Sequence, residues 1–338
     1  MLQALYSSII KANSYLFDTN RREISRVGVP VISVGNISTG GSGKTPFTQT
    51  IVRKLLTLGK NPAVIGRGYK RKSKGEVIIT DGKRIFTDVE TSGDELFLHA
   101  VKLRVPVIAN KNRFHAAQTA TSKLHCDVIV LDDGFQHRKL NRDLDIVLID
   151  EFTAHQKYLL PKGRLREAFS ALKRADVLCL QAGIDMKNIP YSLEPNQLHI
   201  TFNTSTGKPY HLKQLLQDTI VEQEFDLPIH ENLLAVSAIA HPKKFENTLN
   251  QSSIKFIHHS VFEDHHSYTQ GDITAIIRTC AEHSIQTIIT TEKDAVKLLH
   301  YLPNFEQKRI EVYVLPITMN IVQNEDLFDK KIMQLFNN

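Results

Sequence analysis

The chain has 338 residues, of which 41% are hydrophobic and 23% charged, the composition of a soluble or peripheral globular protein long enough for two domains. The formal net charge of +6 suits an anionic substrate or a membrane surface, but no nucleic-acid-binding signature accompanies it, so no nucleic acid partner is expected. Three widely separated cysteines without a C-x-x-C pair argue against a disulfide framework or a zinc site, and no apolar run reaches the roughly 18 residues of a membrane-spanning helix.

The first 22 residues carry apolar side chains at helical spacing. These are Leu2, Leu5, Tyr6, Ile9, Ile10, Leu16 and Phe17, with Lys11, Arg21 and Arg22 nearby. No basic region precedes the apolar part and no clear small-residue cleavage site follows it, which argues against a signal peptide. Residues 1–22 are therefore predicted to form an amphipathic helix, which either lies in a membrane interface or packs on its own domain.

Residues 31–47, VISVGNISTGGSGKTPF, combine an apolar strand, a glycine-rich turn and the start of a helix predicted at about 46–58. This is the layout of a phosphate-binding loop, in which Lys44 reaches the β/γ-phosphates and the Thr45 hydroxyl ligates Mg²⁺. One departure is Ser38, which stands where the usual pattern has its first glycine, and the alternative is a chance glycine-rich turn. The sequence thus predicts a nucleoside triphosphate site made by Ser38, Thr39, Gly40, Gly41, Ser42, Gly43, Lys44 and Thr45.

Strands and helices alternate after this loop. The Asp81-Gly82 dipeptide predicts a hairpin turn, and apolar runs without alternation predict buried strands. The predicted strands are 63–65, 76–80, 84–87, 105–109, 128–131, 146–149 and 177–180, and the predicted helices are 94–103, 112–124 and 164–174. This order indicates a P-loop NTPase-like α/β fold with a mostly parallel sheet flanked by helices.

The pattern changes after residue 183. A polar, proline-containing stretch contains a possible strand at 198–202, and strand–helix alternation then resumes. The later predicted strands are 233–239, 285–290 and 310–315, and the later helices are 242–250, 270–282 and 293–300. We therefore predict four segments: an amphipathic helix (1–22), a P-loop kinase domain (23–183), a connector (184–230) and a smaller C-terminal α/β domain (231–338).

A second candidate for the phosphate site is the acidic end of the strand at 128–131. Asp132 and Asp133 follow this apolar run, and P-loop proteins place a carboxylate there to bind Mg²⁺ or its water shell. The alternative is that both residues open a turn at Gly134. A regulatory GTPase is disfavoured, because Arg113 occupies the place of the aspartate in the guanine-reading N-K-x-D motif.

Several strings along the chain resemble the tetraacyldisaccharide 4′-kinase (lipid A 4′-kinase) family. They are the loop at 35–46, RGY at 67–69, GDE at 93–95, LDDGFQH at 131–137, LPKGRLRE at 160–167, DH at 264–265 and TEKD at 291–294. The resemblance implies ATP- and Mg²⁺-dependent phosphorylation of the 4′-hydroxyl of tetraacyldisaccharide 1-phosphate. The product would be lipid IVA of lipid A (lipopolysaccharide) biosynthesis, made on the cytoplasmic face of the bacterial inner membrane by a peripheral or monotopic enzyme.

The resemblance also implies roles for single residues. Asp94 would be the base that accepts the sugar hydroxyl proton, with His265 supporting it from across the domain gap, and Lys44 would stabilise the transferring phosphate. From the residues alone, Asp94 and Glu95 fit the first turn of a helix equally well, and His265 fits a surface histidine. The implied metal ligands are Thr45, Asp132, Asp133 and Glu95, and further nucleotide contacts or carboxylate-ordering residues are Gln136 and His137.

Basic residues form a dense run after the strand at 63–65. Arg67, Lys70, Arg71 and Lys72 would bind the substrate 1-phosphate or acidic lipid headgroups, or else belong to a solvated loop. A second basic set, Lys162, Arg164 and Arg166, has the same two interpretations. The alternative functions are a P-loop kinase of a soluble sugar or nucleoside and a non-kinase ATPase switch. No obligate protein partner is inferred.

Overall fold

The computed structural model describes residues 2–216 and 232–337. Part of the predicted connector, 217–230, and the first residue of the predicted C-terminal domain lie outside the described residues. The strands are β1 (Val31–Asn36), β2 (Pro62–Gly66), β3 (Val77–Asp81), β4 (Pro106–Ala109), β5 (Val128–Asp132), β6 (Leu144–Ile149), β7 (Val177–Gln181), β8 (Leu198–Thr206), β9 (Tyr210–His211), β10 (Leu233–Ser237), β11 (His258–Val261), β12 (Thr287–Thr291), β13 (Glu311–Leu315) and β14 (Ile317–Gln323).

Helices connect most of these strands. The α-helices are α1 (Leu2–Asp18), α2 (Lys44–Thr57), α3 (Val89–Ser92), α4 (Asp94–Leu103), α5 (Arg113–Leu124), α6 (Glu151–Ala154), α7 (Pro242–Gln251), α8 (Gln270–Glu282), α9 (Glu292–Leu298), α10 (Leu302–Gln307) and α11 (Glu325–Gln334). Short 3-10 helices span Phe169–Arg174, Met186–Asn188, Leu212–Leu216 and Leu299–Tyr301.

A nine-stranded sheet forms the larger unit, in the order β14-β8-β7-β6-β1-β5-β2-β4-β3. Its neighbouring strands are parallel except for the β3–β4 and β14–β8 pairs at the two edges. The central strands are buried along their whole length, as expected for continuous apolar runs covered on both faces. This arrangement confirms the predicted fold class, and it aligns the carboxyl ends of β1 and β5 side by side.

A five-stranded sheet forms the smaller unit, in the order β11-β10-β12-β13-β9. Its strands are parallel except for the antiparallel β13–β9 pair. The chain then returns to the larger sheet through β14, which pairs with β8. Strands on both sides of the predicted connector therefore contribute to one sheet, and the domain boundaries at 183 and 230 stay a prediction.

The returning segment packs on the helix of the glycine-rich loop. Phe47 of α2 is fully buried between Phe202 of β8 and Phe328 of α11, with ring centroids 6.3 and 6.4 Å apart. Tilted aromatic contacts at this spacing stabilise a core beyond simple burial of apolar area. The end of the chain thus supports the helix that begins at Lys44.

Two predicted elements differ from the structure. The helix predicted at 164–174 is helical only over Phe169–Arg174, because the preceding segment lies extended along the glycine-rich loop. There the Arg166 amide donates to the Ile37 carbonyl at 2.7 Å, and the Arg164 carbonyl accepts from the Thr39 amide at 2.8 Å. The second arm of the predicted hairpin, 84–87, forms a single bridge to β3 through Ile85.

The predicted N-terminal helix is present as α1. Phe17 is its buried side chain, held under the guanidinium of Arg138, and the Tyr6 hydroxyl donates to the Arg166 carbonyl at 3.0 Å. In contrast, Leu2, Leu5 and Ile9 remain more than half exposed. Phe17 and Tyr6 therefore hold one face of the helix on the protein, and Leu2, Leu5 and Ile9 present apolar side chains on the exposed face. None of the helices in the described part of the chain has the length and apolar character needed to span a membrane.

Candidate active site

The glycine-rich loop joins the carboxyl end of β1 to the start of α2. Gly43 has a left-handed backbone with φ of 84°, and a Cβ there would lie 2.8 Å from the sulfur of Met319, so only glycine fits. Among the described residues no side chain caps α2, so its first N–H groups are available to a ligand. A free helix N-terminus next to Lys44 is a ready anion-binding site.

Asn36, the last residue of β1, organises this loop. Its side chain is fully buried and its amide nitrogen donates to the hydroxyls of Ser42 at 2.7 Å and Ser38 at 3.2 Å. Its amide oxygen accepts from Lys44 Nζ at 3.4 Å and from the Arg166 guanidinium. This role of Asn36 is not among the predictions from the sequence, although a polar residue that ends an apolar strand just before a glycine-rich loop is a usable signal.

The Ser38 hydroxyl is engaged with the protein rather than left open. It lies 2.7 Å from the Thr153 hydroxyl, which in turn donates to Asp150 at 2.5 Å. Ser38 thereby ties the loop to the end of β6. Its predicted contact with the nucleotide would have to come from the backbone, and the other loop residues stay predictions as nucleotide contacts.

Asp132 and Asp133 lie at the carboxyl end of β5, as predicted, but they have different partners. Asp132 Oδ2 lies 3.5 Å from the Thr45 hydroxyl and 2.8 Å from His99 Nε2. Asp133 receives two hydrogen bonds from Arg166, at 2.7 and 2.8 Å, and lies 3.7 Å from Lys44 Nζ. One carboxylate therefore faces the threonine of the loop and the other faces its cations.

The surroundings of Asp133 keep it ionised. Packing among protein atoms would by itself raise the pKa of this carboxyl, but the charges of Lys44 and Arg166 and the Arg166 hydrogen bonds hold it well below its usual range. Arg166 belongs to a basic set that we predicted either to bind anions or to be solvated. Instead it is an internal counterion that links Asp133 to Asn36.

Asp94 and His265 meet across the two α/β units, as predicted. Asp94 begins α4 and is buried, and its Oδ2 lies 2.8 Å from His265 Nδ1. His265 has a left-handed backbone with φ of 58°, and its ring lies 4.9 Å from that of Tyr69. Because His265 follows β11 of the smaller sheet, this hydrogen bond closes the gap between the units.

Nearby positive charges and a hydrogen bond lower the pKa of Asp94 by more than burial raises it. Burial alone would raise the pKa of Asp94, but the charge of Lys293, the hydrogen bond from His265 and the charge of Lys297 hold it well below its usual range. Asp94 is thus ionised at neutral pH and able to accept a hydrogen bond from a hydroxyl. The contact between the two side chains is present, while their catalytic roles stay a prediction.

Two ion pairs join α4 to α9 beside this contact. Glu95 lies 3.0 Å from Lys293 Nζ, and Lys102 pairs with the nearly buried Glu292. The charges of Glu95 and Asp94 overcome burial and raise the pKa of Lys293. Glu95, a predicted metal ligand, is therefore paired with a lysine of the smaller unit.

Gln136 and His137 follow the carboxylates at the end of β5, and Gln136 contacts the end of β1 from which the glycine-rich loop starts. Gln136 donates to the Asn36 carbonyl at 2.8 Å and to Glu167 at 3.0 Å, which orders the end of β1. His137 Nε2 is buried and has no hydrogen-bond partner within the described residues. Burial and the charges of Arg113, Arg142 and Lys139 lower the pKa of His137 to about 4.

The predicted basic run is largely bound to the protein itself. Lys70 donates to the Asp264 carbonyl at 2.9 Å, Arg71 donates to the carbonyls of Ala109 and Gly75, and Lys72 pairs with Glu90 at 2.8 Å. Arg67 is exposed and forms no hydrogen bond or ion pair with another described residue. Of the four, Arg67 is the cation best able to meet an external anion.

A cleft of about 1010 Å³ with both polar and apolar lining opens on the β6 side of the loop. His241 stands at its edge, 4.7 Å from the ring of Phe152, and a Cβ added to Gly40 would lie 3.2 Å from its Nε2. The cleft separates the two units and is lined by 150–152, 181–182, 203–209, His241, Lys244, Asn247, Thr248, Gln251, Ser252, Ile254 and Leu315. A smaller concavity of about 590 Å³ lies at the opposite, amino end of β1.

Oxygen ligands for a hard cation are present at the loop. The Thr45 hydroxyl and the carboxylates of Asp132 and Asp133 are the donor types that Mg²⁺ prefers, and Mg²⁺ is usually held by one or two carboxylates together with substrate phosphates. Within 2–216 and 232–337, no group of three or more His, Cys, Asp or Glu side chains is arranged to hold a metal.

Comparisons with known proteins agree on one family. The family model described as Tetraacyldisaccharide-1-P 4'-kinase matches residues 1–337. A tetraacyldisaccharide 4'-kinase of Halothermothrix orenii is 35% identical over 97% of this chain and 89% of its own length. One from Desulfotalea psychrophila is 37% identical over 88% of this chain and 86% of its own length. A crystal structure of LpxK from Aquifex aeolicus in complex with ATP aligns with a TM-score of 0.79 and 31% identity over 99% of this chain and 97% of that one.

The low pKa of His137 predicts a pH-dependent stability. An unfolded histidine titrates near pH 6.5, so between about pH 6.5 and 4 the unfolded chain holds a proton that the folded chain lacks. Acidification through this window therefore lowers the free energy of unfolding, by at most about 1.4 kcal/mol per pH unit for one proton. His137→Gln should flatten this slope in urea unfolding followed by circular dichroism. The exposed His155→Gln serves as control, and equal slopes for His137→Gln and wild type would contradict the assignment.

Proposed function

Because the chain belongs to the tetraacyldisaccharide 4′-kinase family, we propose that it transfers the γ-phosphate of ATP to the 4′-hydroxyl of tetraacyldisaccharide 1-phosphate. The product is lipid IVA, an intermediate of lipid A biosynthesis. The observation that carries this proposal is the Asp94–His265 contact on α4, the helix whose His99 also reaches Asp132 beside the glycine-rich loop. The proposed proton acceptor and the proposed phosphate site would thus lie at the same edge of the larger sheet.

The glycine-rich loop would hold the triphosphate. Lys44 and the free N–H groups at the start of α2 would stabilise charge on the β- and γ-phosphates, and phosphoryl transfer depends mainly on such positioning and charge stabilisation. Thr45 with Asp132 or Asp133 would hold Mg²⁺, which when bound neutralises charge on the phosphates. In the described structure Lys44 rests near Asn36 and Asp133, and a phosphate would replace these weak contacts.

Asp94 would accept the proton of the 4′-hydroxyl. His265 donates to one oxygen of the Asp94 carboxylate and fixes its orientation, since Nδ1 lies 2.8 Å from Oδ2. General-base assistance of this kind is worth roughly 10²–10⁴ in rate. Lys293 and Lys297 support the pair by keeping Asp94 ionised at neutral pH.

The cleft beside the loop would receive the nucleoside of ATP. Asp132 and Asp94 lie on the β5 side of the loop, whereas the cleft opens on the β6 side, where a nucleotide extending away from the reacting phosphate would point. Its volume of about 1010 Å³ exceeds what a nucleoside requires. His241 at the edge of the cleft would then contact the nucleotide from the smaller unit.

The lipid substrate explains the exposed end of α1. Leu2, Leu5 and Ile9 form one apolar stripe at the i, i+3 and i+7 positions, suited to lie in a bilayer interface on the cytoplasmic face of the inner membrane. The buried Phe17 fixes the opposite end of the helix to the protein. Arg67, free of internal partners among the described residues, would meet the 1-phosphate of the substrate or an acidic headgroup.

Transfer of labelled γ-phosphate from ATP to tetraacyldisaccharide 1-phosphate in mixed micelles tests the function. We expect the wild type to label the 4′ position, Lys44→Ala to lose at least about 10²-fold, and Asp94→Ala to lose about 10²–10⁴-fold. Lys308→Ala, an exposed cation of the smaller unit with no proposed role, should stay near wild type. ATP hydrolysis by the wild type without lipid phosphorylation would favour a switch ATPase, and transfer to a soluble sugar or nucleoside would favour that alternative.

Filling the cleft should weaken ATP binding selectively. Asn247→Trp places a large ring on the α7 wall of the cleft, and we expect the KM for ATP to rise by about tenfold or more, a loss of roughly 1.4 kcal/mol of binding. The KM for the lipid should stay unchanged. Asn250→Trp, exposed on the same helix but outside the cleft, is the matched control. Equal KM values for ATP in the two variants would exclude the cleft as the nucleoside site.

Polar substitution of the exposed α1 stripe should release the protein from membranes. Each exposed leucine or isoleucine that enters a bilayer interface contributes roughly 1.5–3 kcal/mol at most, so the triple change Leu2→Ser, Leu5→Ser, Ile9→Ser should reduce vesicle binding by more than about tenfold. Co-sedimentation with vesicles of the bacterial inner-membrane lipids measures this. The melting temperature and ATP affinity should not change, because Phe17 and Tyr6 remain; loss of ATP binding would instead indicate a packing role for the stripe.

A further inference from the structure

His99 is the one buried histidine of α4 and lies in an apolar environment. It is fully buried, and its helix neighbours Leu96, Leu98 and Leu103 belong to the main hydrophobic core. A buried imidazole loses its hydration, which costs free energy unless a hydrogen bond compensates. An apolar side chain would serve this position at least as well if packing were its purpose.

The hydrogen bond that compensates goes to Asp132. His99 Nε2 lies 2.8 Å from Asp132 Oδ2, whereas Nδ1 is buried without a partner in the described part of the chain. A carboxylate oxygen can only accept, so Nε2 carries the hydrogen and donates it. The polar function of His99 is therefore directed at a single carboxylate oxygen.

The same oxygen also faces the loop. Asp132 Oδ2 lies 3.5 Å from the Thr45 hydroxyl, so both hydrogen-bond contacts of this carboxylate with described residues fall on Oδ2, and Oδ1 is available to an outside ligand. A carboxylate held through one oxygen cannot rotate freely about its terminal bond. Histidine and carboxylate partners behind a metal ligand orient it and typically change metal affinity or activity by about 10–100-fold when removed.

We propose that His99 is a positioning residue that holds Asp132 in the orientation needed for Mg²⁺–ATP. His99 follows Asp94 by five residues on α4, so this helix fixes both the proton acceptor and the carboxylate at the phosphate site. Any shift of α4 against the larger sheet moves the two together. This inference rests on the proposed use of Mg²⁺–ATP, and it adds a residue that lies outside the motifs of the sequence.

Binding of ATP in the absence of lipid tests the proposal. Isothermal titration calorimetry gives the Kd of ATP with excess Mg²⁺ and with EDTA, and the ratio of the two values isolates the metal-dependent part. We expect His99→Leu to lose about 10–100-fold of the Mg²⁺-dependent affinity while its affinity in EDTA stays near wild type. In the kinase assay its half-saturating Mg²⁺ concentration should rise by a similar factor. His99→Gln has an amide nitrogen that reaches as far as Nε2 of the histidine. It should bring the Mg²⁺-dependent affinity for ATP and the half-saturating Mg²⁺ concentration back to within about threefold of the wild-type values.

Controls separate positioning from packing. Leu103→Ala removes a core side chain from the same helix without contacting Asp132, and it should lower the melting temperature but leave the Mg²⁺ ratio unchanged. If His99→Leu does not fold, His99→Asn replaces it, because its shorter amide is polar but cannot reach Asp132. An unchanged ratio in His99→Leu or His99→Asn, or an equal loss in His99→Gln or Leu103→Ala, would overturn the proposal. The calorimetry contains no lipid, so its result does not depend on whether the protein phosphorylates the lipid substrate. A failed lipid kinase assay would therefore count against the proposed function and not against the role of His99.

Discussion

The hydrogen bond between Asp94 and His265 is the contact on which the arrangement of the site depends. It joins α4 of the larger unit to a loop of the smaller one, and the Glu95–Lys293 and Lys102–Glu292 ion pairs lie along the same interface. A carboxylate buried without partners would be protonated or expelled, so these cations are what allow Asp94 to stay buried and charged. The same contacts set how closely the two units approach, and hence the cleft between them.

At the glycine-rich loop, a second carboxylate is compensated by positively charged side chains. Asp133 is paired with Arg166 and faces Lys44, while Asn36 accepts from both cations. Arg166 is thus neutralised internally, whereas the contacts of Lys44 with described residues are long, at 3.4 and 3.7 Å. This asymmetry leaves Lys44 as the cation ready for a phosphate, and it keeps the loop geometry fixed before any nucleotide arrives.

Much of this site was readable from local signals. The order of strand, glycines, Lys44 and helix predicted the loop, and the apolar run ending at Asp132 predicted the carboxyl edge of β5. The contact of Asp94 with His265 came from the family resemblance, since nothing local links residues 171 positions apart. His99 and the internal role of Arg166 escaped prediction, because each acts through a partner that only the tertiary fold brings near. The role of Asn36 also escaped prediction, although its partners in the loop lie within eight residues of it. Strand β14 was not predicted, nor was its return to the larger sheet: the alternating pattern of 317–323 is typical of an edge strand but does not indicate which sheet it joins.

The central claim is that Asp94 and His265 act as one unit in phosphoryl transfer. A double-mutant cycle on kcat/KM with Asp94→Asn, His265→Gln and the double variant measures their coupling directly. If the pair is a single acceptor, the double variant should be no slower than the slower single variant, giving a coupling of at least about 2 kcal/mol. Losses that simply multiply in the double variant would mean that the two residues act independently, and would contradict this account of the site.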